Sequence, residues 1–202
     1  TLFVWVALLA VPFLGERLGW LQVAALATLL AGQALVTPPT GMAWGAGESM
    51  LAAATLLWAV EVLVAKRLLA GVSPSLLAAS RLGVGLVVMV AFLALTGRIG
   101  GVAAVPAEAW VWIVATGGLL AGYVATWFRA LRHARATTVT SVLVVAAVVT
   151  AALSALTGGN APSPTAVLGY LVILAAAVVI VGLAFGPLAA SRAAGRAVVT
   201  GD

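Results

Sequence analysis

Residues 171–185 read LVILAAAVVIVGLAF, an unbroken apolar run with no charge and no proline. A strand crossing lipid in a barrel is about ten residues long and alternates apolar with polar positions. This run does neither, and Ala, Val and Leu crowd out aromatics, so it reads as a helix. Extended to its punctuated ends at 165–186 it exceeds the roughly 20 residues that span a bilayer. The rest of the chain agrees with it. Of 202 residues, 64% are hydrophobic and 7% charged, whereas a soluble domain is about a quarter charged. Side chains this poor in charge cannot cover a globule in water. The fold class expected is therefore all-α, a polytopic transmembrane helix bundle.

Seven apolar segments follow from the same reading: 1–14, 18–36, 49–69, 76–96, 109–131, 137–157 and 165–186. The breaks between them carry turn chemistry, such as Gly15-Glu16-Arg17, Thr37-Pro38-Pro39-Thr40-Gly41 and Gly71-Val72-Ser73-Pro74-Ser75. Gly97 to Pro106, Arg132 to Arg135 and Gly158 to Pro164 complete the set. Ser75, Glu108 and Thr165 are placed to cap helices or occupy their first turns. After Pro187 the apolar run ends, and the tail is expected to be mobile. The chain opens on Thr1 with a run too short to span and no charged segment before it. It reads as a truncated protein whose first helix, and others before it, lie upstream.

The net charge of +5 belongs to the loops and does not indicate a nucleic-acid surface. When successive loops are placed on alternate sides, Arg17, Lys66, Arg67, Arg129, Arg132, Arg135, Arg192 and Arg196 fall together, and Arg98 falls opposite with Glu48 and Glu108. Such a bias sets orientation in the membrane. It places the basic side and the C-terminus in the cytoplasm. There is no cysteine and one histidine, His133, which excludes thiolate chemistry and His-rich metal sites. Gly118 and Gly122 form a GxxxG, a spacing that lets two helices approach closely in lipid.

These segments carry a family resemblance. VPFLGERLGWLQVAALATLLAGQALV (11–36) resembles the end of the first repeat in EamA-type members of the drug/metabolite transporter superfamily, where an apolar helix enters a Gly-Glu-Arg-Leu turn. LLWAVEVLVAKRLL (56–69) looks like the opening helix of the second repeat, with its basic pair at the exit. SRLGVGLVVMV (80–90) looks like the next helix, and GYVATWFRALRHARATTVTSVLV (122–144) is similar to the junction of the third and fourth. The resemblance implies an inverted-repeat transporter fold of ten helices in the complete protein, about seven of them here. Residues 1–36 would close the first repeat, 37–48 would be an external linker, 49–186 a complete second five-helix repeat, and 187–202 a cytoplasmic tail. Two departures stand out. Where many members carry a proline in the fourth helix this chain has Ala146-Ala147, and opposite the acidic turn at Glu16 the second repeat offers Gly159-Asn160.

Ionisable groups within lipid are costly and mark function or pairing. Glu61 and Arg81 are the two clear cases. Glu61 shares a helix face with Thr55 and Trp58, and a buried carboxylate there could exchange a proton for substrate. Both charges lie about 8–10 Å inside their helices from the basic side, so they could instead neutralise each other. Tyr123, Thr126 and Trp127 share another face, an aromatic wall with polar handles suited to a small molecule; Trp127 reads equally well as part of an interfacial aromatic belt. Thr150, Ser154 and Thr157 align too, although hydroxyls in membrane helices commonly satisfy their own backbone. The triplet Arg129, Arg132 and Arg135 could meet anionic headgroups or a phosphate, and membrane orientation accounts for it as well.

Together these readings imply a secondary transporter of the inner membrane, exporting a small metabolite or drug by alternating access and open to proton coupling. Its partners are the small-molecule substrate and the lipid bilayer, with no nucleic acid, no cofactor and no metal. A channel or structural membrane subunit is the alternative. An intramembrane lipid-modifying enzyme is a more distant one, because it needs clustered His, Asp, Glu or an activated Ser. No phosphate-binding GxxxxGK[ST] loop is present, so ATP does not drive this chain directly. A topology reporter fused after Arg196, or within 132–136, should read as cytoplasmic and one within 97–107 as external. Finding both loops on the same side would refute the segment count.

Overall fold

The computed structural model describes residues 2–38, 45–157 and 162–199; side chains are described except at residue 103 and residues 186–199. Within these residues every regular element is helical: α1 (Leu2–Leu14), α2 (Trp20–Val36), α3 (Ala46–Leu68), α4 (Pro74–Leu95), α5 (Gly100–Ala103), α6 (Ala107–His133), α7 (Ala136–Val142), α8 (Val145–Leu156) and α9 (Pro164–Val199). Among the described residues five stretches are long and apolar enough to cross a membrane: α3, α4, α6, α7 joined with α8, and α9 to Phe185. The helices α1 and α2 are apolar but shorter. The polytopic helical bundle expected from composition is what forms.

Helix boundaries depart from the sequence reading where local chemistry intervenes. Ser73 caps α4, its hydroxyl accepting from the Leu76 amide at 3.2 Å, with Pro74 and, as expected, Ser75 in the first turn. Ser163 does the same ahead of α9, accepting from Ala166 at 3.2 Å. Glu108 and Thr165 sit in first turns, as expected. The stretch between 97 and 107 contains the single turn of α5. Beyond Pro187 the backbone stays helical to Val199, because an Ala-rich, Arg-containing sequence has high helix propensity even where it is no longer apolar. The 39–44 part of the proposed linker, and Gly159-Asn160, lie outside the described residues.

The chain divides into two compact units, one holding the residues up to Val64 and from Ala134 on, the other Ala65–His133. In the first unit α2 packs chiefly on α9, α7 lies on α1 and α9, and α8 on α9. Phe3, Ala25, Leu29, Ile173, Ala176 and Ile180 form its buried cluster. In α1 the buried residues Phe3, Val6, Ala7 and Ala10 recur at helical spacing, giving one inward stripe. In the second unit α4 packs on α6 through the α6 face of Val124, Trp127, Phe128 and Leu131. Along α4 only Ala78 is buried, and a helix apolar all round with so little covered belongs in lipid.

The α2–α9 crossing is antiparallel and close enough for backbone contact. A methyl group added at Gly169 would stand 2.7 Å from the Gly32 carbonyl oxygen, and one at Gly32 would stand 2.9 Å from Ile173 Cγ1 and 3.0 Å from the Gly169 oxygen. Counted from Trp20 and Pro164, the helix starts, Ala25 matches Gly169, Leu29 matches Ile173, Gly32 matches Ala176 and Val36 matches Ile180. Small residues thus occupy equivalent positions on both helices, and the late small residue of α2 meets the early one of α9. That is the signature of a self-complementary, two-fold-like contact. The GxxxG of α6 behaves differently, since methyl groups at Gly118 and Gly122 would meet nothing within 4 Å. Accordingly, Gly169→Val should lower stability by about 1–3 kcal/mol or more through overpacking, read as a lower thermal midpoint in detergent or nanodiscs. Gly118→Ala should leave that midpoint unchanged, and equal effects at the two sites would refute the crossing.

Candidate functional site

The positions singled out by sequence fall in both units. In α3, Thr55 and Glu61 are half-buried and Trp58 is exposed. The Thr55 hydroxyl is committed to its own helix, donating to the Leu51 carbonyl at 2.7 Å. In the other unit Arg81 of α4 sets its guanidinium over the Phe128 ring, 6.0 Å from the centroid, at the outer reach of a cation–π contact. Tyr123 and Trp127 stack with centroids 6.2 Å apart, and Thr126 donates to the Gly122 and Tyr123 carbonyls, both at 2.9 Å. Trp127 is buried and Tyr123 39% exposed. Burial of the Trp127 ring runs against the belt reading, in which an indole faces the interface. Lys66 reaches the end of α6, donating to the Leu131 carbonyl at 2.6 Å, where a cation meets the negative end of the helix.

Thr150 and Thr157 donate to the carbonyls of Ala146 (2.8 Å) and Leu153 (2.9 Å), the self-satisfaction expected of them. A cavity of about 470 Å³ between α1 and α2 is walled by residues such as Phe3, Leu8, Pro12, Leu26 and Leu30. Its lining carries no polar side chain with which to orient a substrate. Among the described residues no cluster of His, Asp and Glu is arranged to hold a metal.

Another centre emerges that the sequence reading passed over. The stretch 136–141, ATTVTS, is buried at every position, and it is the start of a span. Its amide donors lack partners within the helix, as at any helix start. Glu16 supplies them: its carboxylate accepts from the Ala136 amide at 2.6 Å, from the Thr137 amide at 3.4 Å and from the Thr137 hydroxyl. Gly15 makes this possible, since it leaves α1 at φ 64°, a left-handed conformation natural to glycine. The turn is closed by the Glu16 amide donating to Ala10 at 3.2 Å. A carboxylate at a helix N-terminus also meets the favourable end of the helix dipole.

Seven residues into the span the helix tightens, with Leu143 and Val144 still in right-handed helical dihedrals. Val144, Ala146 and Ala147 donate to carbonyls three residues back, at 3.1, 3.0 and 3.1 Å, separating α7 from α8 without a proline. Thr140 donates to the Ala136 and Thr137 carbonyls at 2.9 and 3.1 Å, and Ser141 to Thr137 at 2.7 Å. Hydroxyls that bond back onto the preceding turn compete for its acceptors and bend helices. The run of Thr and Ser is the sequence signal for this tightening, and Ala146-Ala147 gave none. Beside it lies a space of about 10 Å³ walled in part by Gln22, Thr137, Thr138 and Ser141, near the lower limit for one water molecule.

The described residues thus form a polytopic helical bundle in which one span, capped by a carboxylate at its start, is divided into α7 and α8. Residues 45–182 match the EamA-like transporter family, and the chain belongs to it. It is a membrane transporter of the drug/metabolite transporter type, and the family is one of transporters rather than enzymes. No curated protein and no solved structure matches the chain.

The Glu16 anchor makes a clear expectation. Glu16→Ala should strand the Ala136 and Thr137 amides and cost about 1–3 kcal/mol. Amide exchange should rise through 136–141 more than in α2 or α9. Unchanged protection of those amides would show that the carboxylate does not hold α7.

Proposed function

We propose that the chain supplies the close of the first repeat and the second five-helix repeat of a ten-helix secondary carrier, which exports a small metabolite or drug from the inner membrane by alternating access. The observation that carries this reading is the α2–α9 crossing, in which helices that end the two repeats meet antiparallel at equivalent small residues. Inverted repeats meet in this way about an axis in the membrane plane, with the substrate site near the midplane beside discontinuous helices. The tightened turn between α7 and α8, about 10 Å into its span, is the place proposed for such an interruption. The loop charges favour a cytoplasmic C-terminus.

Substrate contact is assigned to Thr55, Trp58 and Glu61 on α3 and to Arg81, Tyr123, Thr126 and Trp127 on the α4–α6 pair. Tyr123, backed by the buried Trp127 ring, offers an exposed aromatic face, and Arg81 a positive charge. Glu61, half-buried in a span, is the group proposed to carry a coupling proton, because an ionisable carboxyl group within an apolar span is costly to keep and marks function. In the intact transporter at matched expression, Glu61→Gln should abolish accumulation driven by a proton gradient while leaving substrate counterflow measurable. Undiminished driven transport would remove Glu61 from the coupling mechanism. Absence of counterflow in the wild type would point to a pore in place of a carrier.

A further inference from the structure

At the end of the first unit where α2 begins, a cleft of about 410 Å³ is lined by Arg17, Trp20, Gln22, Arg135 and leucines that include Leu183. From this cleft we infer a binding site for the phosphate headgroup of an anionic phospholipid. Three features of the molecule carry it.

The first is charge. Two guanidinium groups line one cleft, and among the described residues neither forms an ion pair. Arg135 is held in place through a single nitrogen, Nη1, which donates to the Arg17 carbonyl at 3.0 Å and to Gln22 Oε1 at 3.3 Å. The fork that suits a phosphate bidentately keeps its remaining donors. The neighbouring carboxylate, Glu16, does not line the cleft and is spent on the α7 amides. In sequence Arg135 groups with Arg129 and Arg132; the fold places it with Arg17.

The second is depth. Arg135 immediately precedes the span that opens at Ala136, and Leu183 lies just inside the span that closes at Phe185. The cleft therefore stands at the membrane–water boundary, the level of the headgroups. The third is amphipathy. Trp20 is 77% exposed at the cleft edge, where an indole suits the interface, and Leu18, Leu21 and Leu183 give an apolar floor on the membrane side. A soluble phosphate would gain nothing from that floor, whereas acyl chains lie against it.

The test uses the whole chain in phosphatidylcholine nanodiscs with and without phosphatidylglycerol, reading lipids retained by native mass spectrometry and the thermal midpoint. Wild type should retain phosphatidylglycerol over phosphatidylcholine and melt higher in its presence. R17Q, whose guanidinium makes no internal bond among the described residues, should weaken retention about five-fold, as expected for one basic residue near an anionic surface. R135K should fall less than R135Q because it keeps the charge, and R98Q should match wild type. Equal retention of the two lipids by wild type, or undiminished retention in R17Q, would overturn the site. If inorganic phosphate in pure phosphatidylcholine raises the melting point as much as phosphatidylglycerol does, the cleft holds a soluble anion and the lipid assignment fails.

Discussion

Gly32 and Gly169 let two backbones touch, and the first unit is arranged around that contact. With no side chain between them, α2 and α9 approach until the carbonyl of one helix occupies the space a Cβ on the other would need. In lipid there is no hydrophobic drive to bring helices together, so close packing and its dispersion contacts must supply the association. Leu29 and Ile173 fill the centre of the crossing, Ala25 and Ala176 sit at small-residue positions on the two helices, and Phe3 brings α1 to the same cluster. The joined span α7–α8 then lies along α9. Moving α2 off α9 would therefore disturb every other helix that packs in this unit.

On that frame one carboxylate decides where a helix begins. Holding Glu16 half-buried at the edge of the apolar region is tolerable because it gathers two amides and a hydroxyl, and the buried start of α7 is tolerable in the same place because Glu16 meets its amides. Neither half of the arrangement is stable alone, since an unmatched buried polar group loses its hydration with nothing in return. The same economy governs α7 itself, whose Thr140 and Ser141 hydroxyls turn to carbonyls of their own helix.

The second unit follows a different logic. Its polar groups are tied to helix ends and aromatic faces: Lys66 on the α6 terminus, Arg81 over Phe128, Tyr123 against Trp127. Each is a local satisfaction that costs little to maintain, and together they leave one aromatic wall with a positive charge on the α4–α6 pair. Membership of the EamA-like family gives these features a context, that of a membrane transporter.

Length and hydropathy determined the helices by themselves. A run such as 171–185 has only one way to satisfy its backbone in lipid, so its structure needs no neighbour, and all seven apolar segments of the sequence became helices. The Gly-Glu-Arg-Leu turn was legible for the same reason, being local. What the sequence could not decide was which small residues meet: Gly118 and Gly122 carry the familiar spacing and face open space, while Gly32 and Gly169 are remote in sequence and touch. Nor could it show that Glu16 caps a helix more than a hundred residues away, that the span tightens after the ATTVTS run, or that Arg135 lies with Arg17. These depend on distance in space between residues far apart along the chain, and only the packing of α1, α2, α7 and α9 brought them together.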